Sequence, residues 1–284
     1  MKIGLTLLPI ALNVGIAIAI FSYALRAGPD DLRFLVRERR LMGLSLISIF
    51  IVTPAIAVAV VEWIDMPNAA RLAIVALSFS IIRPTLPSKQ IAAGGRGPYA
   101  NALALTVAVL AIPIVPLLVN LSGKASGHPY GVPPGEIAGY VAAVVAIPLL
   151  IGLLVRWRLP GPAGRLAEPL KRLSAVISTG AVAIMVLSSL PAIWGLLGTG
   201  TIAGMALFTL GSMGVGHLMG GPEPADEVVL ALSSATRHPA IALTVASANY
   251  PEQRVSHALV LCLIVNAIIA IGYERWQRRR RGTR

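Results

Sequence analysis

Acid is scarce in this chain, and it is missing where a buried charge would count most. Only 13% of the 284 residues are charged, against about a quarter in an ordinary soluble domain. All twelve carboxylates (Asp30, Asp31, Glu38, Glu62, Asp65, Glu136, Glu168, Glu223, Asp226, Glu227, Glu252 and Glu274) fall outside the interiors of the long apolar runs. Glu62 and Glu227 come closest. The single cysteine, Cys262, sits in an apolar run, which excludes an intrachain disulfide and says nothing about redox compartment. No His-Glu-x-x-His, no Gly-x-Ser-x-Gly and no Cys/His set at metal spacing occurs. The chain is therefore not read as an enzyme, and neither a metal nor an organic cofactor is expected. No stretch is polar enough to form a soluble domain, so the formal net charge of +12 does not signal a nucleic-acid partner.

What is present is hydrocarbon. Hydrophobic residues make up 56% of the sequence, and mean hydropathy is +0.79. The apolar residues gather in runs of roughly 18 or more, enough to span about 30 Å of bilayer core. Nine spans are expected, near 3–25, 41–63, 69–94, 98–121, 134–156, 168–192, 197–219, 224–249 and 253–273. Trp63, Trp157, Trp194 and Trp276 fall at span ends, where an interfacial belt places them. The first run is nearer 20 residues than the 7–15 of a signal-peptide core, so it is read as a retained span. Seventeen of the 24 Lys and Arg residues lie in the loops 26–40, 156–172, at Arg96 and in the tail; Lys2, Arg71, Lys124 and Arg254 lie on the other side. That bias puts the N-terminus outside and the basic segment 274–284 in the cytoplasm.

The three remaining cations, Arg83, Lys89 and Arg237, interrupt apolar runs alongside prolines: Arg83-Pro84-Thr85-Leu86-Pro87-Ser88-Lys89 in the third span, Thr236-Arg237-His238-Pro239 in the eighth. A charge at mid-membrane costs roughly 2.5–3.5 kcal/mol on insertion scales. Proline removes a helical hydrogen bond that lipid cannot replace. Both penalties are relieved only where the broken backbone faces protein or a wet cavity. Pro84, Pro87 and Pro239 are thus expected helix breaks, and Arg237, His238, Lys89, Ser88, Arg83 and Thr236 the candidate substrate-binding residues.

Each has a plainer reading. Arg237 could snorkel to an interface, but it lies about fourteen residues into its span. Lys89 could be a loop residue; if the half-helix starts near Pro87, it stands instead in the first turn, where an anion is welcome. His238 either caps carbonyls or carries a proton, with an ordinary pKa near 6.5. Asn13, His217 and Asn266 could line a path, though interhelical hydrogen bonds are the commoner use. Spans one to four and six to nine repeat one plan at an odd offset of five, so the copies are inverted. Inverted repeats with discontinuous helices mark many secondary transporters.

These residues resemble those of the bile acid:sodium symporter family. Ser233 to Pro251 (SSATRHPAIALTVASANYP) is similar to its second crossing-helix motif. Pro84 to Pro116, with Gly94-Gly95, resembles the first crossing helix and the one after it. Ser22 to Leu46, with Asp30-Asp31-Leu32-Arg33, resembles its first intracellular loop.

The resemblance implies an all-α membrane protein of about nine helices, the third and eighth broken and crossed. It implies a core domain (41–121 and 197–273) and a panel domain (3–25 and 134–192). It further implies transport of organic anions, bile salts or small carboxylic acids, with sodium. The family's sodium-ligating Glu and Gln correspond to Ser233 and Arg237, its Ser-Asn pair to Ser88 and Lys89, and hydroxyls on the next helix to Ala104 and Ala108.

The expectation is an alternating-access secondary transporter of a small organic anion, in a bacterial inner membrane, with most of its sodium site lost. One alternative is an ordinary sodium-coupled symporter, with Ser233, Ser234 and Thr236 holding the ion. Another is a non-transporting membrane sensor or scaffold.

Overall fold

Hydrocarbon offers backbone N–H and C=O groups no partner, so a chain this apolar must satisfy them within helices. A computed structural model describes residues 2–28, 33–34, 37–83, 85–125, 134–193, 195, 200–239, 241–243 and 255–282. Pro84, Trp194, Arg254, the carboxylates Asp30, Asp31 and Glu252, and the 244–251 part of the second motif lie outside these residues.

The described residues are helical throughout, with no strand: α1 (Lys2–Arg26), α2 (Arg39–Trp63), α3 (Asn68–Phe79), α4 (Leu86–Ala92), α5 (Gly97–Ala125), α6 (134–158), α7 (Pro160–Ile193), α8 (Thr201–Met219), α9 (Pro224–Ala235) and α10 (Val255–Gly282). Seven are long and apolar enough to cross a membrane: α1, α2, α5, α6, α7, α8 and α10. The third and eighth expected spans are the discontinuous ones, with α3 separate from α4, and α9 separate from a helical stretch at 239 and 241–243. Leu150, Val176, Leu187 and Ile268 stand 64–71% exposed on outward faces, as lipid-facing residues do.

Two boundaries differ from the sequence reading. Only Leu159 separates α6 from α7, because Pro160 suits a first helical turn, so the expected 157–167 loop is mostly helix. α10 runs on through Gly282, which makes the described part of the expected basic tail a helical extension of the last span.

α1 packs along α6 and α7, while α8 packs along α9, and α10 lies against α3 and α8. Small residues permit the close approaches. A Cβ on Gly216 would stand 2.6 Å from the Leu230 carbonyl oxygen on α9. Ser174 on α7 donates to the Gly15 carbonyl of α1 at 2.8 Å, and Tyr140 on α6 donates to Asn13 at 2.6 Å.

At one end of the bundle, Asp226 and Glu227 occupy the first turn of α9, the positive end of its dipole. Gly94, with φ 93°, ends α4 and sends Arg96 across to them. Arg96 donates through Nε to Asp226 at 2.7 Å and pairs with Glu223 at 3.2 Å, its guanidinium lying over Phe34. Glu227 accepts from Arg280 at 3.3 Å, and His217 bonds the Tyr273 hydroxyl at 2.8 Å. These contacts staple α4, α9 and α10 together around the two interruptions.

Candidate functional site

The first interruption begins where α3 stops at Phe79. Ser80 turns extended, with ψ 154°, and the chain re-enters helix at Leu86, with Pro87 in the first turn of α4. The second begins where α9 stops at Ala235 and Thr236 turns extended, with φ −96° and ψ 108°. The two extended pieces meet. Ile82 and Arg237 form an antiparallel bridge, and the His238 amide donates to the Ile81 carbonyl at 2.9 Å. Asn266 on α10 donates to the orphan carbonyl of Ala235 at 2.9 Å. Backbone groups that lipid could not satisfy are thus paired, break against break.

Arg237 is 3% exposed. Its guanidinium donates to the Ser80 carbonyl at 3.3 Å and to the Ile49 carbonyl at 3.0 Å. Among the described residues it forms no ion pair, and its Nε has no hydrogen-bond partner.

The Ile49 carbonyl is free for a readable reason. Residues Ser48–Val52 of α2 form a π-turn in which the Thr53 amide bonds the Ser48 carbonyl. The next donor along would be residue 54, a proline with no N–H. One carbonyl is left over, and the arginine takes it.

The other polar groups of α9 are bound as well. Gln90 on α4, 1% exposed, donates to the Val229 carbonyl and to Ser233 Oγ, both at 2.8 Å. Ser234 Oγ lies 2.8 Å from Ser48 Oγ. Thr236 Oγ1 is buried without a partner. Gln90 and Ser48 escaped the sequence reading. The available signal was a lone amide in a half-helix seven residues long, and a serine just ahead of an in-helix proline.

Beside the breaks lies a cavity of about 300 Å³, bounded by α1, α7 and both interruptions. The first break contributes Arg83, Thr85 and Lys89, the second His238 and Pro239, and α7 Ser174, Ser178 and Thr179. Among the described residues no carboxylate lines it. Among the described residues neither the Arg83 guanidinium nor the Lys89 ammonium has a hydrogen bond or ion pair.

The residues singled out from sequence therefore separate. Arg83, Lys89 and His238 share the cavity wall. Ser88 lies off the wall, near Tyr23 of α1, whose buried hydroxyl has no hydrogen-bond partner among the described residues. Thr236 faces a smaller pocket of about 50 Å³. Arg237 lines neither. Ala104 and Ala108 border an apolar gap of about 20 Å³. Asn13, His217 and Asn266 are engaged between helices.

Two cations unpaired among the described residues, an imidazole and four hydroxyls line one cavity, a set whose charge and donors suit an anion better than a free cation. Together with the seven apolar helices, this describes a helical membrane protein with a cation-lined cavity beside its two breaks. The model of the sodium bile acid symporter family matches residues 13–195, well over half of the chain. The protein belongs to that family, and it is a transport protein of the membrane. No curated protein matches the chain.

Proposed function

We propose that this protein is a secondary transporter for a small organic anion, working by alternating access, in which the fixed charge of Arg237 replaces a bound sodium ion between the two breaks. The observation that carries the reading is the 300 Å³ cavity, where Arg83, Lys89 and His238 face hydroxyls with no carboxylate among them. A carboxylate or sulfonate entering there gains charge-assisted hydrogen bonds from Arg83 and Lys89. His238 stands within the same wall as a proton carrier. The volume is at the small end of the range for ligand pockets, which favours a compact acid over a steroid.

The sodium part of the reading rests on where the oxygen atoms point. The Ile49 and Ser80 carbonyls, which could coordinate an ion, accept from Arg237. Ser233 is taken by Gln90 and Ser234 by Ser48. Ala104 and Ala108 supply no oxygen. Sodium beside a guanidinium would meet like charge with few ligands left. The inward-facing polar set of the breaks thus fits an arginine better than an ion.

The packing of α1 with α6 and α7 supports their moving as a panel against a core of α2–α5 and α8–α10. The basic extension of α10 is assigned to the cytoplasm by its charge, in a bacterial inner membrane. A sodium-coupled symporter is the second reading, favoured by the family match and by the unpartnered hydroxyl of Thr236.

The test is thermal stability of the purified protein against a panel of small carboxylates, sulfonates and bile salts, in sodium and in potassium. Ligand binding raises stability by mass action. Equal stabilisation by a small anion in both salts is the expected result. Stabilisation confined to sodium removes Arg237 from its assigned role and installs the second reading.

A further inference from the structure

The large cavity and the 50 Å³ pocket share three wall residues, Arg83, Thr85 and Lys89, yet they face different neighbours. The large one looks toward α1 and α7. The small one looks toward α10, whose residues Asn266, Ala270 and Glu274 recur every fourth position along one face. The pocket has room for one or two waters at about 30 Å³ each. Among the described residues Glu274 is its one carboxylate, and the large cavity has none. Glu274, like the two cations, has no ion-pair partner among the described residues. Two cations and one carboxylate thus line one small pocket without having closed on each other. Lys89, a compact charge on a flexible stem, can turn to either side of α4.

We propose that Glu274 is a tethered counter-anion for Lys89 and Arg83. When the large cavity is empty, Glu274 draws these cations toward α10. An anion entering the large cavity must win them back, and its departure is assisted when Glu274 recaptures them. This rests on the proposed anion site and adds to it a residue that sets affinity without lining the cavity. A cation pair with no counter-charge would bind its anion and hold it; a competing carboxylate keeps the complex reversible.

The experiment reads Lys89 without any transported ligand. The full-length protein in nanodiscs is acetylated with an amine-reactive ester, and modification of Lys89 is followed by peptide mass spectrometry. Lys171, which pairs with Glu168 at 4.0 Å, serves as the internal reference. In Glu274→Gln, Lys89 is expected to react about three- to tenfold faster, because the ammonium is no longer drawn toward α10 and stands more often in the larger cavity, while Lys171 is unchanged. Equal Lys89 rates in the two proteins overturn the proposal.

Should Glu274→Gln fail to fold, Lys89→Cys with Glu274→Cys, in a Cys262→Ser background, is treated with a short bifunctional thiosulfonate. Cross-linking supports the pairing and its absence overturns it. Neither readout involves sodium or transport. A failed anion panel with a fast Lys89 in Glu274→Gln leaves the pairing standing and removes the transport reading alone.

Discussion

The two breaks are built from the same materials, proline and a basic residue in an apolar run, and they put their cations to opposite uses. At the first break Arg83 and Lys89 are unpaired among the described residues and line the cavity. At the second, Arg237 is buried and bonded to carbonyls of α2 and of the first break. On the proposed reading the first pair is kept available for an anion; the other cation closes the frame. What decides between them is acceptor supply. The second break meets a helix with a π-turn and a spare carbonyl, and the first meets a gap between helices.

The sharpest way to break this comparison is at Arg237. Arg237→Leu leaves two buried carbonyls unpaired and is expected to cost about 3–5 kcal/mol, seen as a large fall in melting temperature. Arg237→Glu is expected to abolish transport or to make it depend on an added cation. An unchanged transport profile in that variant would sink the ion-replacement idea.

Gln90 gives the next effect. Gln90→Leu strands the Val229 carbonyl and is expected to cost about 1–3 kcal/mol by denaturation. A neutral result would mean that α4 and α9 are held by packing alone.

Across the comparison, Lys89→Ala and Arg83→Ala are expected to leave melting temperature nearly unaltered, within about 0.5 kcal/mol. Each weakens anion binding by about tenfold, or 1.4 kcal/mol. A large loss of stability in either would erase the distinction between the breaks. The smallest effect belongs to Tyr140→Phe, on α6. Losing its bond to Asn13 is expected to cost about 0.6 kcal/mol, the mean for such contacts in membranes.

The interruptions were legible because charge and proline are costly in hydrocarbon, so Arg83-Pro84 and Arg237-His238-Pro239 stand out in any apolar run. The seven long helices were legible for the matching reason. What Arg237 would touch was not. Its acceptor at Ile49 lies 188 residues away and depends on a register slip in α2 that no hydrophobic pattern announces. Pro54, next to Thr53, was the one clue, and an in-helix proline has many outcomes. Gln90 was passed over because a neutral amide carries no insertion penalty large enough to draw notice. Glu274 was set aside as a tail residue, since span ends cannot be read to the residue; only the unbroken run of α10 brings it opposite Lys89.

The pairing of the breaks also bears on how the chain is made. The carbonyls of Ile49, Ser80 and Ile81 enter the membrane with the first half, and their donors at Arg237 and His238 follow only after some 157 further residues. During synthesis those oxygens have no protein partner, so the nascent first half has to keep water at its break, or wait beside the insertion machinery, until the eighth segment arrives. A ribosome stalled after α7 leaves a polypeptide with most of its helices and an open wound in the middle. Quality control that recognises exposed polar backbone in lipid has a natural target there, and half-length fragments of this protein are expected to be cleared quickly unless both halves are supplied together.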